Sequence, residues 1–151
     1  MNLSMEIEAG DWNNITGLER VVRGAAQAAL SKGEARSIHV LLVDDAEMRV
    51  INHQWRGIDK STNVLAFPAG HQPLPKGEVA HLGDLVLAWE TVAQEATEGN
   101  KDLNNHISHL IVHGILHLLG HDHQDDAGAE AMEARESEIL AGLGIADPYA
   151  S

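Results

Sequence analysis

The chain has no cysteine, few aromatic residues and few cations. Without cysteine there are no disulfides and no thiolate metal ligands, a usage that fits a cytosolic protein. Three tryptophans, one tyrosine and one phenylalanine are the whole aromatic complement, so the core must be aliphatic. Ten Lys and Arg against 23 Asp and Glu give a formal net charge of −13, which argues against broad, non-specific nucleic-acid binding. From Asp102 onward Arg135 is the one basic residue among nine acidic ones. Arg49, Arg56 and Lys60 instead fall close together and leave room for a local basic patch, or for plain solvated charges. No apolar run approaches membrane-spanning length, and Met1 to Gly10 carries Glu6 and Glu8 where a secretory signal needs an apolar stretch. The expectation is a cytoplasmic protein with no membrane association.

A length of 151 residues suits one domain, 1–151, with a core of its own. Leu3 to Glu8 alternates as a strand does, and Ile15 to Leu30 has helical spacing with a stop at Ser31-Lys32-Gly33. Ser37 to Val43 reads as a short strand, followed by a helix capped by Asp44 or Asp45 and running to Gly57. Val64 to Phe67 reads as a buried strand halted by Pro68. Ala69 to His81 is rich in Gly and Pro and reads as a loop. Leu85 to Trp89 is another strand, Glu90 to Glu98 a helix, Leu103 to Leu119 a helix capped by Asp102, and Gly128 to Leu140 a last amphipathic helix. The predicted fold is α+β: one roughly four-stranded sheet covered by about five helices.

The chemistry concentrates in His113-Gly-Ile-Leu-His117-Leu-Leu-Gly120-His-Asp-His123. The i, i+4 spacing puts His113 and His117 one turn apart on one helix face. Gly120 can take a left-handed conformation, end the helix and return the chain so that His123 faces the same point. Three neutral imidazoles with an open fourth position make a catalytic metal site, most often zinc, one per chain, though nickel, cobalt and copper accept the same ligands. The bland alternative is a histidine-rich helix end that binds nothing. The spacing is that of a zinc-binding H-x-x-x-H-x-x-G-x-x-H geometry, yet in those metalloproteases a general-base Glu follows the first His and here Gly114 does. The base is dispensable or comes from elsewhere, Asp122 being the nearest candidate. His106 and His109 precede His113 by seven and four residues and fall near the ligand face as proton donors, supporting contacts or plain surface histidines.

These residues resemble the YbeY family of endoribonucleases, from about Val40 onward. The histidine motif carries most of the likeness. Asn52-His-Gln-Trp-Arg56-Gly-Ile-Asp59-Lys-Ser-Thr62-Asn-Val-Leu-Ala-Phe-Pro68 is similar to a second family block, Leu82-Gly83-Asp84 to a third, and Leu143 to Tyr149 to the family's C-terminal end. Asn63 stands where the family usually has Asp, Ala66 where it has Ser, and His121 where Tyr is common. The resemblance implies a single-strand-specific, metal-dependent endoribonuclease of 16S rRNA 3′-end maturation and ribosome quality control. Its partners would be single-stranded rRNA and the small ribosomal subunit or its proteins, with no DNA. The metal ligands would be His113, His117 and His123, and Arg56, His109 and Asp122 the candidate catalytic residues. Arg56 suits phosphoryl-oxygen binding, because a guanidinium is a rigid fork that stays protonated; the alternative is a structural ion pair with Asp59 or Asp84. The rival functions are a zinc metallohydrolase of peptide bonds and a non-catalytic ribosome-assembly factor braced by its metal.

Overall fold

Alternation at period two decides which side of the sheet each residue faces. In β2 (Arg36–Val43) Ile38, Val40 and Leu42 enter the larger core, while Leu41 and Val43 belong to a smaller one on the other side. In β4 (Ala80–Ala88) Leu85 and Leu87 share the first side, and Val86 and Ala88 the second. With β1 (Asn2–Ile7) and β3 (Val64–Pro68) they form a four-stranded sheet in the order β1-β2-β4-β3. β1 and β4 run parallel to β2, and β3 is an edge strand antiparallel to β4. This computed structural model describes residues 1–30, 36–69, 80–121 and 125–149.

Five helices cover the sheet: α1 (Leu18–Ala29), α2 (Asp45–Arg56), α3 (Trp89–Glu98), α4 (Leu103–Leu118) and α5 (Asp126–Gly142). Helices α1, α4 and α5 bury their apolar stripes in the larger core, and α2 sets Met48 against the smaller one. Carboxylates start three of them. Asp44, Asp102 and Asp125 accept from the backbone N–H of Glu47, Asn105 and Gly128 at 2.9, 3.1 and 2.6 Å. The scarce aromatics close one end of the sheet. Trp12 is fully buried, donates from Nε1 to the Val43 carbonyl at 3.0 Å and meets Trp89 edge-on.

The order βαβαββααα and the α+β class agree with the sequence reading, but the β3–β4 region departs from it. β4 begins at Ala80, five residues before Leu85, and Trp89 opens α3 where it was expected to end a strand. The early part was passed over because the stretch before it, Ala69 to His81, is rich in Gly and Pro. Gly83 follows the irregularity at Leu82, pairs with Ile38 and lies at φ +155°, where a Cβ would fall 2.5 Å from the Phe67 carbonyl oxygen. β3 ends at Pro68 as expected, with Pro68 itself its last residue, paired with Gly83 as an edge position allows. Of the loop expected over Ala69 to His81, Ala80 and His81 are strand, and 70–79 lie outside the described residues.

Candidate metal centre and cleft

Helix α4 carries four histidines along one side. Ring centroids step from His106 to His109 at 6.3 Å, to His113 at 6.4 Å and to His117 at 4.7 Å. The helix ends in a Schellman motif. His121 N–H donates to the Leu116 carbonyl and Gly120 N–H to that of His117, both at 3.0 Å, with Gly120 at φ +100°. The left-handed turn expected at Gly120 is therefore present, and it directs the chain toward 122–124. Asp122 and His123 lie outside the described residues. Among the described residues no three acidic or histidine side chains form a metal cage, so the geometry of the candidate centre rests on His113 and His117.

A buried carboxylate stands behind this pair. Glu136 of α5 is fully buried, accepts from His113 Nδ1 and from the Tyr149 hydroxyl, and lies 3.8 Å from His109 Nε2. Burial pushes the Glu136 carboxyl up, but the nearby His109 and the hydrogen bonds from His113 and Tyr149 outweigh it and hold the pKa at about 2. Burial, then the bond to Glu136, pushes the Tyr149 phenol above its ordinary range. An ionised Glu136 fixes the His113 proton on Nδ1, which leaves the lone pair on Nε2. That is the tautomer a metal-binding histidine needs, held by a carboxylate partner. The donor set thus fits a divalent metal of the zinc kind. Because the Tyr149 hydroxyl spends its proton on Glu136, it accepts from His109 Nε2 at 3.2 Å.

Glu95 of α3 organises a second network. It accepts from Asn63 Nδ2 at 3.0 and 3.2 Å and pairs with His106 Nε2 at 2.9 Å. Asn63 Oδ1 in turn accepts from Val64 N–H at 2.7 Å. An Asp at position 63 would set a second carboxylate against Glu95, so the amide is the residue that fits here.

His113 and His117 line a cleft of about 370 Å³ together with Asn63, the edge strand β3, Gly114 and Arg56. Arg56 is the last residue of α2, before Gly57 at φ +72°. It forms no ion pair among the described residues. Asp59 is held instead by Arg49 at 2.7 and 3.1 Å, and Asp84 lies beside His81 at 3.3 Å and His39 at 3.6 Å. Gly114 sits where α4 presses on β4. A Cβ there would fall 2.6 Å from Leu85 Cδ2, so a side chain at this position would have to push Leu85 aside.

The structure therefore brings Arg56, His113 and His117 to one cleft. His109 does not line that cleft. It lies behind His113, against Tyr149 and Glu136, and borders a separate hollow of about 320 Å³ with His106. Sequence reasoning missed Glu136 and Glu95. The signal for Glu136 was present: it falls at i+4 from Met132 and i−4 from Leu140, an acid on the buried stripe of α5.

A helix-borne histidine pair, braced by a buried carboxylate and sharing a cleft with an arginine at the edge of an α+β sheet, makes up the candidate site, and Gly114 stands where a protease base would be. The model of the Endoribonuclease YbeY family matches residues 5–144. The match begins well before Val40, where the likeness of motifs starts. Proteins named Endoribonuclease YbeY are similar throughout. The one from Chelativorans sp. (strain BNC1) is 47% identical over 151 residues, covering 95% of this chain and 90% of that protein. The one from Azorhizobium caulinodans is 46% identical, covering 99% and 97%. The solution structure of a Thermotoga maritima protein shares the fold at TM-score 0.54 and 23% identity, covering 99% of both chains. The chain belongs to the YbeY endoribonuclease family.

Proposed function

We propose that this chain is a single-strand-specific endoribonuclease dependent on one divalent metal, Zn2+ in the first instance, held by His113, His117 and His123. It acts in the cytoplasm on 16S rRNA 3′ ends and in ribosome quality control, with the small ribosomal subunit or its proteins as partner. The observation that carries the reading is Arg56, His113 and His117 lining one cleft, with Gly114 where a protease base would stand. The family supplies the reaction class.

A metal bound there would lower the pKa of a bound water and polarise a phosphoryl oxygen. The chain's own residues do the rest. Glu136 holds the His113 proton on Nδ1 and orients the ring. His109 and Tyr149 hold Glu136 ionised, so they act on the centre through it. Arg56 binds the non-bridging phosphoryl oxygens and stabilises their charge. Asp122, beside the ligand turn, is the candidate base.

One observation favours a peptide-hydrolase reading: the cleft runs along an edge strand, and such edges also take extended peptides. A matched assay decides between them. A single-stranded oligoribonucleotide, the same sequence as duplex, and an unstructured peptide are incubated with wild type and with His113→Ala purified alongside. The expected result is cleavage of the single strand alone, stopped by chelation without unfolding and absent in His113→Ala. Peptide cleavage lost in His113→Ala would establish the rival, and an intact RNA strand would leave an assembly factor. Small subunits carrying 3′-extended 16S rRNA should be cut near the mature end; indiscriminate degradation would contradict the maturation role.

A further inference from the structure

Trp55 is the aromatic residue that packing does not explain. Trp12 is fully buried and Trp89 packs on it, whereas Trp55 leaves 68% of its surface in water. An indole buries more apolar area than almost any side chain, so a folded chain gains nothing by leaving one out. Trp55 is the residue before Arg56 at the end of α2. It meets Phe67 edge-on, with ring centroids 6.0 Å apart at 61°, and Phe67 lines the cleft with Arg56, His113 and His117. Val50, the other strongly exposed apolar residue of α2, lies five positions earlier on a different side of the helix. The two therefore do not form one apolar face for a protein partner.

We propose that Trp55, steadied by Phe67, is a stacking step at the mouth of the cleft that takes an unpaired nucleobase next to the phosphate held by Arg56. The proposal rests on the endoribonuclease reading and adds a residue that binds the substrate's base. Stacking on an indole face tolerates every base but requires the base to be free of a duplex. It would therefore add to single-strand selection without imposing a sequence. It also supplies affinity where an acidic chain has few cations to offer.

The test combines single-turnover binding and steady-state cleavage of a short single-stranded RNA by wild type, Trp55→Ala and Trp55→Phe. The same strand is also used with one abasic nucleotide moved through each position. Trp55→Ala should weaken binding about tenfold, the scale of losing one base–aromatic stack. KM should rise by the same factor while kcat stays within about twofold, the mark of uniform binding. Trp55→Phe should recover most of the loss, and thermal unfolding should not move in either variant. One abasic position should weaken wild type by the same factor and add nothing in Trp55→Ala. Unchanged binding in Trp55→Ala, or an abasic loss that adds to it at every position, would overturn the proposal. If wild type shows this binding pattern and cuts no RNA, the stacking step stands and the endoribonuclease reading falls. If wild type binds no RNA, both fall.

Discussion

Arg56, Glu136 and Asn63 each do work that a neighbour's chemistry defines. Arg56 lines the cleft and forms no ion pair among the described residues. Arg56→Ala should therefore cost about 10²-fold or more in RNA cleavage, the scale of removing one charge-stabilising donor. Thermal stability and metal content should stay as in wild type, and Arg56→Lys should recover only part, because the fork is lost. Unfolding or metal loss in Arg56→Ala would make the residue structural. Glu136→Gln should weaken metal binding by about 10- to 100-fold, since the carboxylate that fixes the His113 tautomer is gone. Undiminished affinity in a metal competition titration would remove Glu136 from the centre. Asn63→Asp should destabilise by about 1 kcal/mol by facing Glu95 with a like charge, and Glu95→Gln in the same chain should relieve it. Denaturant melts of the two variants and their double test the pairing.

Among the elements, α4 matters most, because its N-cap, buried stripe and left-handed end fix where the histidines stand. Its bounds and its glycine turn were legible in the sequence: Asp102, the apolar spacing and Gly120 are local signals. The start of β4 was not, because the stretch before it, Ala69 to His81, is rich in Gly and Pro. Glu136 and Glu95 were not legible as site residues either. Their partners lie 23 and 32 positions away in His113 and Asn63, and only the packed fold brings them together. His106 gives the helix a pH signature. Burial, opposed by Glu95, lowers its pKa below 6.5. Above pH 6.5 the imidazole is neutral folded and unfolded, and its contribution to stability is complete. As pH falls below 6.5 the unfolded chain takes up the proton first, and stability drops until the folded pKa is passed. His106→Gln keeps a donor toward Glu95 without the titration. Its unfolding free energy should fall less steeply than wild type across that window, and parallel curves would contradict the assignment.

At the scale of the whole molecule, the acidic balance limits how RNA can be held. The composition read this way from the start, since 10 cations cannot coat a nucleic-acid surface against 23 acids. The structure narrows it further by committing Arg49 to Asp59. With Arg56 the one cation lining the cleft among the described residues, a plot of log affinity for single-stranded RNA against log salt should have a slope of about −1, near −0.7 per phosphate contact. A slope several times steeper would reveal a cationic surface that the cleft does not account for.

The central claim is that RNA cleavage depends on one metal held at the end of α4. Metal is stripped from wild type and returned in sub-stoichiometric steps, and the rate of single-stranded RNA cleavage is followed at each step. His117→Ala, His123→Ala and His39→Ala are purified and titrated in the same way. The account predicts a rate that rises linearly to one equivalent and then stays level in wild type and His39→Ala, with no rise in the other two variants. Full cleavage by the stripped protein, or an unchanged titration in both His117→Ala and His123→Ala, would contradict it.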